Sequence, residues 1–192
     1  MELPASLLWV EADYPRIIEY KESRLAGEHA RCRLERAPID LAELLQRRRL
    51  LSDLNTRARR IVVLTEGVVP YLTLEEAASL ADDLRALDRV AGWMVDYFSP
   101  GAIQYRNRSG MAKAMANAPF RFTPDDAFGF DAAHGWRMRE ARYLVEEGER
   151  LGRLMPMTLS MKIAMAVGSL FAPKERLDAY KKFTGFLLLE PV

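Results

Sequence analysis

A chain of 192 residues can bury a core around a central sheet but is short for two full domains, so residues 1–192 read as a single domain. Its 28 Lys and Arg nearly balance 27 Asp and Glu, leaving a formal net charge of +1, and no one-signed field marks nucleic acid or an anionic membrane as the partner. A single cysteine, Cys32, excludes an internal disulfide, and with His29 and His134 as the only histidines no recognised zinc spacing exists.

The opening MELPASLLWVEAD has no basic segment ahead of an apolar one and no small-residue cleavage site. The run Leu7, Leu8, Trp9, Val10 suits a strand buried on both faces, and it ends at Asp13. Pro15 fits the first turn of a helix, with Ile17, Ile18 and Leu25 as its apolar stripe and Gly27 as its stop. Cys32, Leu34 and Ala37 alternate with charged residues up to Ile39 and Asp40, a fainter strand. Leu41, Leu44, Leu45 and Leu51 then have helical spacing, and Arg47, Arg48 and Arg49 read as its solvated face.

Ile61 to Leu64 is the clearest buried strand, running into Thr65, Glu66 and Gly67. Thr73-Leu74-Glu75-Glu76 has the form of a capping box, followed by the apolar positions Ala77, Leu80, Ala81, Leu84 and Leu87. Val90 to Phe98 gives another strand, closed by Pro100-Gly101. Strands alternating with helices over short connections imply right-handed βαβ units and a mostly parallel sheet, an α/β fold. Residues 1–100 form these units, 101–135 read as a lid or substrate insertion, and 136–192 supply the remaining strands and helices. A strand is expected near Trp136 to Tyr143 and a last apolar strand over Phe183 to Glu190. The stretch 155–171 carries Lys162 and stays below the roughly 18 uninterrupted apolar residues of a membrane span, so it reads as a core or lid helix. A reducing, cytoplasmic setting is expected.

In open parallel sheets ligands bind outside the carboxyl ends of the strands, and three acids fall there: Asp13, Asp40 and Glu66. One such carboxylate can accept both hydroxyls of a ribose and another can meet an exocyclic amine, so a row of them suits adenosine. Each has a plainer reading as a loop acid, Asp40 also as a helix N-cap, and Glu11 is an alternative to Asp13. The chain has no G-x-S-x-G elbow, no phosphate-binding G-x-x-x-x-G-K-[ST] loop and no G-x-G-x-x-G, which sets aside hydrolase and kinase readings.

Taken together, WVEADYPRIIEYKESRL, APIDL at Ala37 to Leu41, and VVLTEGVVPYLTLEEA resemble the leucine carboxyl methyltransferase-like family, a branch of the class I S-adenosylmethionine-dependent methyltransferases. The likeness covers the first hundred residues well and is looser beyond, resting there on GWRMREARYL and the last strand. It implies a Rossmann-like sheet, mostly parallel, with the final strand antiparallel. It implies S-adenosylmethionine as cofactor, with Asp13 as the ribose-binding acid, Asp40 and Leu41 lining the adenine, and Glu66 as the acid after the family's fourth strand. The family's first strand, its glycine turn and an Asp-Thr-Arg segment have no counterpart here, so weak or absent cofactor binding by this chain alone is expected.

An acceptor oxygen, of a carboxyl or hydroxyl on a small molecule or protein, would displace the methyl group. Such a transfer depends on proximity, in-line geometry and exclusion of water more than on a general base. Tyr71, beyond Glu66-Gly67, is a candidate for orienting the acceptor, and Tyr105, Arg106, Arg108 and Lys113 are candidates for holding it. The alternatives are a non-catalytic remnant that binds a partner or a second copy through an open sheet, and an adenine-nucleotide-binding module of unrelated chemistry.

Overall fold

The computed structural model describes residues 3–108, 118–153, 158 and 173–192. Residues 109–117 of the expected lid, Lys113 among them, and the apolar stretch 155–171 apart from Thr158 lie outside the described residues. The chain forms two compact units, Met1–Arg59 and Arg60–Val192.

In the first unit, β1 (Leu8–Asp13), α1 (Pro15–Arg24) and β2 (Arg33–Pro38) make one βαβ step, and α2 (Leu44–Arg57) follows. Pro15 occupies the first turn of α1, where its missing N–H removes no bond, and Ile18 is buried on the inner face of the helix. The two strands pair in parallel, from Leu8 opposite Arg33 to Asp13 opposite Pro38, and Ile39 N–H donates to the Asp13 carbonyl at 2.9 Å. Cross-strand charge pairing fastens the fainter strand, with Arg36 Nε on Glu11 at 3.0 Å. Two expectations shift here. The helix begins at Leu44 rather than at Leu41, because Asp40 closes an Asx turn on Ala42 N–H at 2.9 Å instead of capping it. Arg47 is 2 % exposed, not solvated, and its guanidinium donates to the Leu41 carbonyl at 2.8 Å.

In the second unit, β3 (Ile61–Thr65), a short 3-10 turn (Val69–Tyr71), α3 (Leu74–Arg85) and β4 (Val90–Phe98) repeat the step. α4 (Pro100–Arg108), α5 (Ala127–Ala133), β5 (Trp136–Tyr143), α6 (Leu144–Leu151), α7 (Lys174–Lys181) and β6 (Thr184–Pro191) complete it. The sheet order is β3-β4-β6-β5, with β3 parallel to β4 and β6 antiparallel to both its neighbours. The capping box forms as expected, Glu76 N–H on Thr73 Oγ1 at 3.1 Å and Thr73 N–H on Glu76 Oε2 at 2.7 Å.

Ala77, Leu80, Ala81 and Leu84 of α3 are buried, as are Trp93, Val95, Leu187 and Leu189 of the sheet. The Trp93 and Trp136 rings meet edge to face at 5.4 Å, and each indole is satisfied: Trp93 Nε1 donates to Thr65 Oγ1 at 2.9 Å, Trp136 Nε1 to the Ala81 carbonyl at 3.1 Å. Gly185 lets β5 approach β6, since a Cβ there would overlap the Arg142 carbonyl. Parallel strands joined by helical crossovers and closed by an antiparallel last strand make this a Rossmann-like α/β fold. Among the described residues no helix is long and apolar enough to cross a membrane, and no group of three or more His, Cys, Asp or Glu could hold a metal ion.

Candidate functional site

The parallel pairing of β1 with β2 brings Asp13 and Asp40 to one end of the first unit's sheet, the carboxyl end of both strands. Asp13 Oδ1 accepts the Tyr14 N–H at 2.9 Å, and Oδ2 accepts from Lys21 Nζ at 3.3 Å, eight residues along α1. Each oxygen retains a second lone pair, so the carboxylate can still accept two hydroxyl groups. Asp40 spends Oδ1 on its own turn. Leu41, half-buried beside it, has its carbonyl fixed by the buried Arg47. Glu11 is tied to Arg36 within the strands, and Asp13 is the acid that closes β1.

In the second unit Glu66 is exposed just past the carboxyl end of β3. The positive φ of Gly67, +65°, turns the chain so that its N–H donates to Asp96 Oδ2 at 2.6 Å, and the Val68 N–H reaches the same carboxylate. Burial pushes the Asp96 carboxyl up from its ordinary value, the Gly67 N–H draws it back, and the neighbouring Glu66 raises it further. Tyr71 and Arg106 converge on one ring: Tyr71 meets Phe120 edge to face at 5.3 Å, and the Arg106 guanidinium lies 3.6 Å from the centre of the Phe120 ring. Tyr105 points elsewhere, 64 % exposed with its edge toward Phe183. The Arg108 side chain lies outside the described residues.

Two acids that the sequence reading passed over complete this end of the unit. Asp96, near the end of β4, and Asp131, in α5, line a cavity together with Val69, Pro70, Phe122 and Phe130. Asp131 is 7 % exposed. Burial pushes its carboxyl up to about 7, against a smaller opposing pull from His134, while Asp126 adds to the rise. Asp96 follows Val95, the register partner of Thr65, so it stands beside Glu66 as the corresponding strand-end acid of the next strand. Position was therefore a signal for Asp96. Nothing local distinguishes Asp131 from a solvated helix acid.

Residues 1–85 match the family model of leucine carboxyl methyltransferase, and the resemblance read from the sequence is borne out over that stretch. A Frankia alni protein, provisionally named an S-adenosyl-L-methionine-dependent methyltransferase, is 26 % identical over 165 residues, which are 80 % of this chain and 56 % of that protein. A protein of the same provisional name from Mycolicibacterium paratuberculosis is 28 % identical over 169 residues, 82 % of this chain and 53 % of that protein. The chain spans about half the length of the curated relatives it matches. S-adenosyl-L-methionine, expected from the sequence, is the cofactor these relatives are named for. The solved methyltransferase domain of bacterial CtHen1-C aligns at 12 % identity and a TM-score of 0.48, covering 97 % of this chain and 77 % of that one.

Proposed function

We propose that the chain is part of an S-adenosylmethionine-dependent O-methyltransferase, that its first unit meets the adenosine portion of the cofactor, and that its second unit carries the acceptor side. The observation that carries this reading is the shared carboxyl end of β1 and β2, where Asp13 and Asp40 follow consecutive parallel strands in the order of the family motif. The residues fit the group. Asp13 offers lone pairs to the two ribose hydroxyls, Asp40 keeps an oxygen for the exocyclic amine, and Leu41 offers an apolar side chain to the adenine. Arg47 holds the Asp40-Leu41 turn from inside the unit. Within the second unit Glu66 is exposed past β3, and Tyr71 and Arg106 meet around Phe120 on the side proposed for the acceptor.

The bound cofactor would supply a sulfonium-activated methyl group. The protein's part is then to orient an oxygen nucleophile in line and keep water out, work suited to an aromatic-lined cleft. Photocrosslinking with radiolabelled S-adenosylmethionine detects even weak binding. Label is expected in peptides containing Asp13 or Asp40 and Leu41, removed by excess S-adenosylhomocysteine and reduced in Asp13→Asn. Labelling that competitor does not displace, or that Asp13→Asn leaves unchanged, would refute the reading.

One observation favours a second reading, a partner-binding domain. The outer edge of β3 pairs with no strand among the described residues, and Val62 and Leu64 on it are 64 % and 46 % exposed. Light scattering of the purified chain gives a monomer at micromolar concentration if that edge is free of self-association.

A further inference from the structure

Among the described residues of the second unit, Asp131 carries the one carboxyl group that is buried. Asp131 is 7 % exposed, and the groups acting on it are burial, His134 and Asp126, with no hydrogen bond among them. No described side-chain oxygen is both sealed from solvent and unpartnered, so the Asp131 oxygens keep some exposure, and the residue is one of those that line the cavity. A buried acid with no partner costs stability, and in a cleft that is the signature of a site rather than of packing. The cavity is small, about 30 Å³, room for one polar group of water size and not for a ring. Its walls, however, are aromatic, with Tyr97, Phe98, Phe120, Phe122 and Phe130 among the lining residues, a setting suited to an aromatic body whose polar end reaches in.

Charge narrows the ligand. Asp96 shares the cavity and Glu66 stands beside Asp96, so an anionic carboxylate entering there meets like charge. An ammonium group would give up its hydration to apolar walls, and because Asp131 holds its proton near neutrality the attraction of Asp96 alone would have to offset that cost. A hydroxyl bonds either form of the acid.

We propose that this cleft receives the hydroxyl end of a neutral aromatic acceptor, with Asp131 accepting the hydroxyl's hydrogen bond. The assignment rests on the reading of the chain as an oxygen-directed methyltransferase and selects hydroxyl over carboxyl as its acceptor. The test needs no cofactor. The nitrogen-15-labelled chain is titrated with phenol, toluene, benzylamine and benzoate at pH 7, following the Trp93 indole N–H and the Gly67 amide.

Phenol is expected to shift both signals saturably and to bind more tightly than the other three. Asp131→Leu should weaken phenol about tenfold, the loss of one hydrogen bond to a charged or polar acid, while Asp131→Asn, which keeps an acceptor, retains most of the affinity. Equal binding of phenol and toluene overturns the role of the acid, and that comparison needs no variant. Tighter benzylamine or benzoate overturns the ligand class, and unchanged phenol affinity in Asp131→Leu overturns the residue. Failure of the crosslinking experiment at Asp13 and Asp40, with phenol binding intact, would instead remove the cofactor reading and leave this site standing.

Discussion

Replacing Asp131 by Asn should make the protein more stable, and by an amount that depends on pH. In the folded chain burial holds the Asp131 carboxyl at about 7 against an ordinary 3.8. Below about pH 4 both folded and unfolded chains carry the proton, and the group contributes nothing to the difference between them. Between pH 4 and pH 7 the unfolded chain releases the proton while the folded chain keeps it, so stability attributable to this residue falls as pH rises. At about 1.4 kcal/mol per pKa unit the full loss above pH 7 is about 4 kcal/mol. Asn cannot ionise and lacks that decline, although its own amide, without a donor or acceptor partner, returns about 1–3 kcal/mol of the gain. Urea unfolding of both proteins from pH 4 to pH 8, followed by the indole signals of Trp93 and Trp136, measures the difference directly. The stability gap should widen in favour of the variant with rising pH and level off above pH 7. A gap independent of pH would refute the burial of an unpartnered acid.

Two further substitutions probe features that hold the candidate sites in place. Arg47→Met keeps length and burial but removes the donor to the Leu41 carbonyl; a loss of about 1–3 kcal/mol is expected, with faster amide exchange at Ala42 and Glu43. Gly185→Ala places a methyl against the Arg142 carbonyl, so a loss of about 2 kcal/mol or more in thermal unfolding is expected, with weakened amide protection along β5 and β6.

The elements that sequence reading located share a physical origin. β1, β3 and β4 are apolar runs closed by polar residues, so Asp13 and Glu66 could be placed at strand ends without coordinates. The burial expected on both faces is not found: β1 is half-buried throughout, and Val62 and Leu64 of the edge strand β3 are exposed. The capping box and the apolar run of the last strand were equally local, whereas the antiparallel direction of that strand came from the family resemblance. Arg47 was misread because its neighbours Arg48 and Arg49 suggested a solvated patch. Its spacing carried the correct signal, since Arg47, Leu50, Leu51 and Leu54 form one stripe at i, i+3, i+4 and i+7. Asp96 was hidden inside a segment taken whole as strand. Asp131 had no local signal at all: it lines a cavity together with Phe122 and with strand residues distant in sequence such as Trp93 and Leu187. A long-range arrangement of that kind is not written in periodicity.

The place of β6 bears on how the second unit is made. β4 and β5 are joined in the sheet only through β6, which carries hydrogen bonds on both sides and is the last of the described strands in chain order. While the ribosome is still working through residues 136–183, β4 therefore has an unpaired edge and β5 has no partner in the sheet. The aromatic walls contributed by β4 and α5 come together with Leu187 only when β6 arrives. Completion of the cavity that Asp131 lines thus waits on β6 and on contacts of large sequence separation, and until then the unit exposes strand edges of the sort that recruit chaperones or aggregate.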